Sequence, residues 1–178
     1  MKVARYMALL VVLGIILPIA AFAQYETDEH TKLNLKVGLY RPSDSTTTNA
    51  LGHNWSLVEL IYDCKRDDMH RPIIQAELGQ LESSSGSDSA LVMAVNKLWW
   101  REAKGSNSLY YGAGVGAYKM NLFDQKDTKP SGQLLVGYSF KESYFAELRE
   151  TIVSPMTIGG TDFSLSGLTL SVGTRKLF

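Results

Sequence analysis

The sequence predicts an all-β chain: an eight-stranded antiparallel up-and-down transmembrane β-barrel over residues 24–178, behind a removable leader over residues 1–23. Three observations predict it. Period-2 alternation of apolar and polar residues recurs in eight runs, with no convincing helical period between them. The polar face of those runs is poor in lysine and carries both signs of charge equally. Aromatic residues collect at one end of the runs.

The leader has three parts. Lys2 and Arg5 make a positive start, Met7 to Ala20 is almost wholly apolar, and Ala21-Phe22-Ala23 is a small-residue cleavage site before Gln24. The apolar run is short for a spanning helix, so a cleaved secretory signal is expected rather than an anchor. No Cys follows the run, which excludes a lipid-anchored leader. Of 18 Lys+Arg, the leader holds two and no acid, leaving 16 against 18 Asp+Glu, a net charge of −2. That balance argues against nucleic-acid binding, which needs a basic surface. The single Cys64 cannot close an internal disulfide.

The runs follow in order. Leu33, Leu35, Val37 and Leu39 alternate within Lys32 to Arg41. Val58, Leu60 and Tyr62 alternate within Trp55 to Cys64, and Ile74, Ala76 and Leu78 within Ile73 to Leu81. Leu91, Met93 and Val95 mark Ala90 to Trp100. In Leu109 to Tyr118, Leu109, Tyr111, Ala113, Val115 and Ala117 face away from Gly112, Gly114 and Gly116. Leu134, Val136 and Tyr138 mark Gly132 to Phe140; Ala146 and Leu148 mark Tyr144 to Thr151. Leu168, Leu170 and Val172 mark Ser164 to Phe178. Turn residues fill the gaps, as in Lys104-Gly105-Ser106-Asn107 and Lys141-Glu142-Ser143. Strands joined by short turns form a meander, and closing it removes the exposed edges.

Alternation alone does not say which face is inside. A soluble barrel buries its apolar face; a membrane barrel turns that face to lipid. Strand charges on the polar face are Lys36, Arg149 and Arg175 against Glu59, Glu77 and Glu147. Such a balance suits a closed interior, where each buried charge needs a partner. The glycine run needs close packing, as a narrow interior supplies. With both termini on one side of the membrane, that side carries Tyr62, Trp99, Trp100, Tyr110, Tyr111, Tyr138, Phe140, Tyr144, Phe145 and Phe178. This is the pattern of an interfacial girdle, with Trp55 the best member at the opposite end. Glu150 falls on the lipid face near that opposite end. The directions of Leu134 and Glu77 decide the matter: Leu134 outward with Glu77 inward means a membrane barrel, and the reverse means a soluble one.

The last run, Leu168-Thr169-Leu170-Ser171-Val172-Gly173-Thr174-Arg175-Lys176-Leu177-Phe178, resembles the terminal strand of bacterial outer-membrane β-barrel proteins. It fits at Gly173 and Phe178 and departs at Thr174 and Lys176, where that family shows apolar or aromatic residues. The plan is similar to the small eight-stranded barrels of the OmpA and OmpX type. The resemblance implies an outer-membrane location, termini in the periplasm, outer-membrane lipid around a monomer, and delivery to the barrel-assembly machinery through the C-terminal strand.

Chemical sites are sparse. His30, His53 and His70 are scattered, and no metal centre or cofactor is expected. His53, Ser56 and Glu59 are the nearest approach to a catalytic set, but Ser56 and Glu59 point to opposite faces of one strand, so the chain is not expected to be an enzyme. Lys36, Glu59, Glu77, Glu147, Arg149 and Arg175 form either a structural network or an ion path. Activity is expected in four loops, Pro42 to Asn54, Glu82 to Ser89, Met120 to Ser131 and Val153 to Phe163, as surface interaction. A small pore, an apolar-ligand carrier and a soluble periplasmic ligand-binding barrel are the alternatives.

Overall fold

The computed structural model describes residues 32–63, 73–102, 108–140 and 144–175. The leader, Cys64, His30, His70, Phe178, the side chain of Arg175 and both expected turns (104–107 and 141–143) lie outside them, in whole or part. The elements are β1 (Lys32–Pro42), α1 (Ser45–Leu51), β2 (Trp55–Asp63), β3 (Ile73–Ser83), β4 (Ser89–Glu102), β5 (Ser108–Leu122) and β6 (Gln125–Phe140), then β7 (Tyr144–Val153), β8 (Met156–Ile158), β9 (Thr161–Phe163) and β10 (Gly167–Arg175).

Eight strands close a barrel in the order β1-β10-β7-β6-β5-β4-β3-β2, every neighbouring pair antiparallel; β8 and β9 form a separate small hairpin. The stagger follows from the register. From Lys36 the rung passes through Glu59, Gly79, Val92 and Tyr118 to Lys129 on β6. The other way it passes through Gly173 and Phe145 to Ser139 on β6, ten residues further along. Ten residues at ~3.3 Å, spread over eight strand spacings of ~4.8 Å, tilt the strands by about 41°.

Alternation sets the two faces. Leu134 is 62% exposed, whereas Glu77 is 4% exposed. Val37, Leu39, Val58, Ile74, Met93, Val95, Val115, Leu148, Leu168, Leu170 and Val172 also face outward. Charged and amide side chains at Lys36, Glu59, Gln75, Asn96, Gln133, Glu147 and Arg149 are buried. This is a soluble protein turned inside out: water would face an apolar wall while charge sits in the core, so the wall faces lipid. Along β5 the outward apolar set from Leu109 to Ala117 spans about 20 Å of barrel height, close to the ~25 Å apolar band of such barrels. Glu150 is exposed on this outer wall, level in register with Leu134 and Leu168.

Aromatic side chains ring the wall near the termini. Tyr111, Tyr138, Phe140 and Tyr144 are exposed there, with Trp99 and Tyr62 partly covered. Trp99 stacks on Tyr111 with ring centroids 5.9 Å apart, and Tyr138 meets Phe140 at 5.3 Å. Tyr110 and Phe145, counted with this ring in the sequence, point into the barrel instead. Trp55 corrects another expectation: it is 1% exposed inside the barrel and belongs to no outer girdle. Its parity is that of Leu57 and Glu59, which point inward, and parity prevails over its position at a strand end.

The loop end departs most from expectation. The segment Met120 to Ser131 is not a loop: β5 and β6 continue above the apolar belt and turn through Phe123 and Asp124 alone. Both have positive φ, 50° and 63°, the geometry of a two-residue turn matched to strand twist. Above Ser131, β6 pairs only with β5, apart from Ser154 N–H donating to the Pro130 carbonyl. That open edge is blunted. Pro130 lacks a donor, the Asp127 carboxylate accepts the Thr128 N–H at 2.7 Å, and Asp127 pairs with Lys129 at 2.7 Å.

The first loop folds as α1, seven residues that make too few turns to show a period. Asp44 caps it, accepting from the Thr47 N–H at 2.8 Å and the Thr47 hydroxyl at 2.6 Å. The Thr47 hydroxyl, helped by local amides, holds the Asp44 carboxyl below the usual carboxylate range. A lowered folded value means that this cap contributes fully above the ordinary carboxylate pKa of ~3.9 and is lost as pH falls through the lower folded value. Asp44→Ala is expected to cost about 1 kcal/mol of local stability. Amide exchange at Thr47 and Thr48 measures it: faster exchange in the variant at neutral pH, and no difference once Asp44 is protonated in the parent.

Candidate functional site

The interior has three levels. Toward the loop end, Tyr40, Leu51, Trp55, Leu57, Leu81, Val92, Tyr118, Met120, Leu122, Met156, Phe163 and Leu165 pack into one apolar cluster. Toward the termini, Ile61, Leu98, Tyr110, Leu135 and Phe145 form a second. Between them lies a layer of ions.

Each ion comes from a different inward strand position. Lys36 on β1 donates to Glu77 Oε1 at 3.0 Å and Glu147 Oε1 at 2.8 Å, and lies 2.8 Å from Glu59 Oε2. Arg149 on β7 donates from one terminal nitrogen to both Glu59 oxygens, at 2.8 and 2.9 Å, and from the other to Glu77 Oε2 at 2.7 Å. The Tyr110 hydroxyl donates to Glu147 Oε2 at 3.1 Å. Every oxygen of the three carboxylates therefore accepts at least one bond, as burial of charge requires.

The layer continues downward through amides. Gln133 donates to Glu77 Oε2 at 3.0 Å and to Asn96 Oδ1 at 2.5 Å. Asn96 donates to Gln75 at 3.5 Å, Gln75 to Asp63 at 2.9 Å, and Asn34 to Asp63 at 3.0 Å. These partners share the inward parity of the ions, and that parity was the signal that could have singled them out. The glycine run makes room on the facing strand: a Cβ on Gly114 would collide with the Asn96 amide and the Val95 carbonyl. Likewise a Cβ on Gly79 would collide with the Glu59 side chain.

The sequence expects six ions in balance; the structure brings five together, two cations against three carboxylates. Arg175 lies level with Asn34 in register, nearer the termini than Lys36, and its side chain is outside the described residues. His53 is exposed beside α1, Ser56 is exposed and Glu59 buried, so these three do not converge. Among the described residues no three His, Cys, Asp or Glu side chains are grouped to hold a metal ion. Lys36 contacts all three carboxylates and Arg149 two of them, so the set holds opposite charges in fixed positions across the barrel.

The closed barrel with an apolar wall and a polar core defines a transmembrane β-barrel. Its fold is that of the small eight-stranded outer-membrane β-barrels. The crystal structure of Neisserial surface protein A (NspA) superposes with a TM-score of 0.65 and 11% identity, covering 83% of this chain and 97% of that one. The outer-membrane protein Ail of Yersinia pestis, in a phospholipid bilayer nanodisc, matches with a TM-score of 0.44 and 12% identity, over 82% of this chain and 99% of that one. No protein-family model and no curated protein matches the sequence.

Proposed function

We propose that this chain is an integral outer-membrane protein with a sealed interior, acting as a structural and surface-interaction protein through its outer loops. The observation that carries the reading is the buried ion layer held between two apolar clusters. An eight-stranded barrel is just wide enough for its side chains to fill. Here two cations and three carboxylates, bonded to one another, occupy the middle, and apolar side chains occupy both ends. What such a scaffold offers to other molecules is its loop end: α1, the β8–β9 hairpin and the tall β5–β6 hairpin. Export through the secretory route and insertion by the barrel-assembly machinery through the C-terminal strand belong to the same proposal, as does a monomeric state.

The rival readings are a small pore or an apolar-ligand carrier. Purified barrel, refolded in detergent and shown by heat-dependent gel mobility to be folded, is reconstituted into planar bilayers. The expected result is no discrete conductance step. Reproducible steps that disappear on boiling would replace the sealed scaffold with a pore.

A further inference from the structure

We infer that Lys97, with Trp99 and Tyr111, forms a binding site for the phosphate of a phospholipid in the leaflet on the side of the chain termini. Lys97 stands on the outer wall of β4 between Val95 and Trp99, and its register neighbours are Ile74 on β3 and Ala113 on β5. Val95 and Ile74 are exposed apolar side chains, so an ammonium group sits within the lipid-facing belt. A cation there is costly unless it reaches an interface, which a long side chain does by snorkelling.

The direction of reach is visible. The Lys97 ammonium lies 5.4 Å from the centre of the Trp99 ring, two residues nearer the termini. Trp99 is itself fixed by its stack on Tyr111, its register partner on β5. The cation is therefore held at the level of the aromatic ring, where lipid headgroups begin. No carboxylate lies within ion-pair distance of it among the described residues, and the described acids on the outer wall, Glu82 and Glu150, lie on other strands toward the loop end. Among the described residues the charge complement is missing, and an anion from the lipid side would supply it. A phosphodiester supplies it, with acceptors for the three ammonium donors and an acyl glycerol that lies along Val95 and Ile74.

Native mass spectrometry tests the site on the full-length mature barrel in maltoside detergent, titrated with phosphatidylglycerol. The parent is expected to retain one tightly held lipid, and Lys97→Gln to weaken that retention about fivefold, the effect of one cation at a lipid surface. Lys97→Arg is expected to keep it, and monoolein, which lacks phosphate, to show no such retention in either protein. Equal retention by parent and Lys97→Gln would overturn the site, as would retention of monoolein. Competition by millimolar inorganic phosphate would overturn its assignment to a lipid. The inference rests on the transmembrane reading, whose own failure is separately visible as a barrel that does not fold in detergent or bilayers.

Discussion

Replacing Arg149 with methionine is expected to destabilise the folded barrel by about 3–5 kcal/mol, the cost of leaving buried charge without its partner. Arg149 holds both oxygens of Glu59 and one of Glu77, and it is 1% exposed. Without it, Lys36 alone faces three carboxylates in a place water does not reach. The measurement is the urea midpoint of the barrel in lipid vesicles, read by tryptophan fluorescence and gel mobility. Adding Glu59→Gln to Arg149→Met should recover much of the loss, because it removes one of three carboxylates left to a single lysine. A shift below about 1 kcal/mol for Arg149→Met would mean that the layer is solvated, since exposed pairs contribute that little.

Leu134→Arg is the counterpart on the outer wall, expected to cost about 2–4 kcal/mol in a bilayer, as an arginine near the bilayer midplane does. Leu134 is 62% exposed within the apolar belt, and because Glu150 is its register partner on β7 the comparison is made in a Glu150→Gln background, where no carboxylate pairs with the arginine. In an ordinary water-soluble protein an exposed leucine accepts arginine with almost no penalty, so the two environments predict opposite outcomes. Thr128→Arg, on the same strand above the belt, is the control and should leave the midpoint unchanged. An equally harmless Leu134→Arg would remove the lipid from around this barrel.

Strands and faces were legible in the sequence because period 2 leaves a mark on every residue of a half-buried strand. That is why Leu134 and Glu77 could be assigned opposite directions. The upper part of β6 left no such mark: above the belt both faces are polar, so Gln125 to Pro130 reads as a loop. Its turn was hidden too, since Phe123 and Asp124 take positive φ without a glycine to announce it. Trp55 is the reverse case: its position at a strand end suggests a girdle, while its parity with Leu57 and Glu59 turns it inward. The inward ions were legible by parity, but their pairing was not. Period fixes the side of a residue and leaves its height open. Height comes from the stagger of ten residues around the barrel, which brings Lys36 to Glu147 although they are 111 residues apart. Nothing in a single run of sequence encodes that number.

The blunted edge of the β5–β6 hairpin bears on life in a crowded membrane. Copies of one protein packed side by side hold identical hairpins at identical heights, a ready condition for strand-by-strand polymerisation in the plane of the membrane. A proline, a carboxylate folded back on its neighbour's amide, and a lysine beside it make each hairpin a poor template for the next. A hairpin that stands free of its barrel neighbours thus offers another copy few backbone groups to pair with.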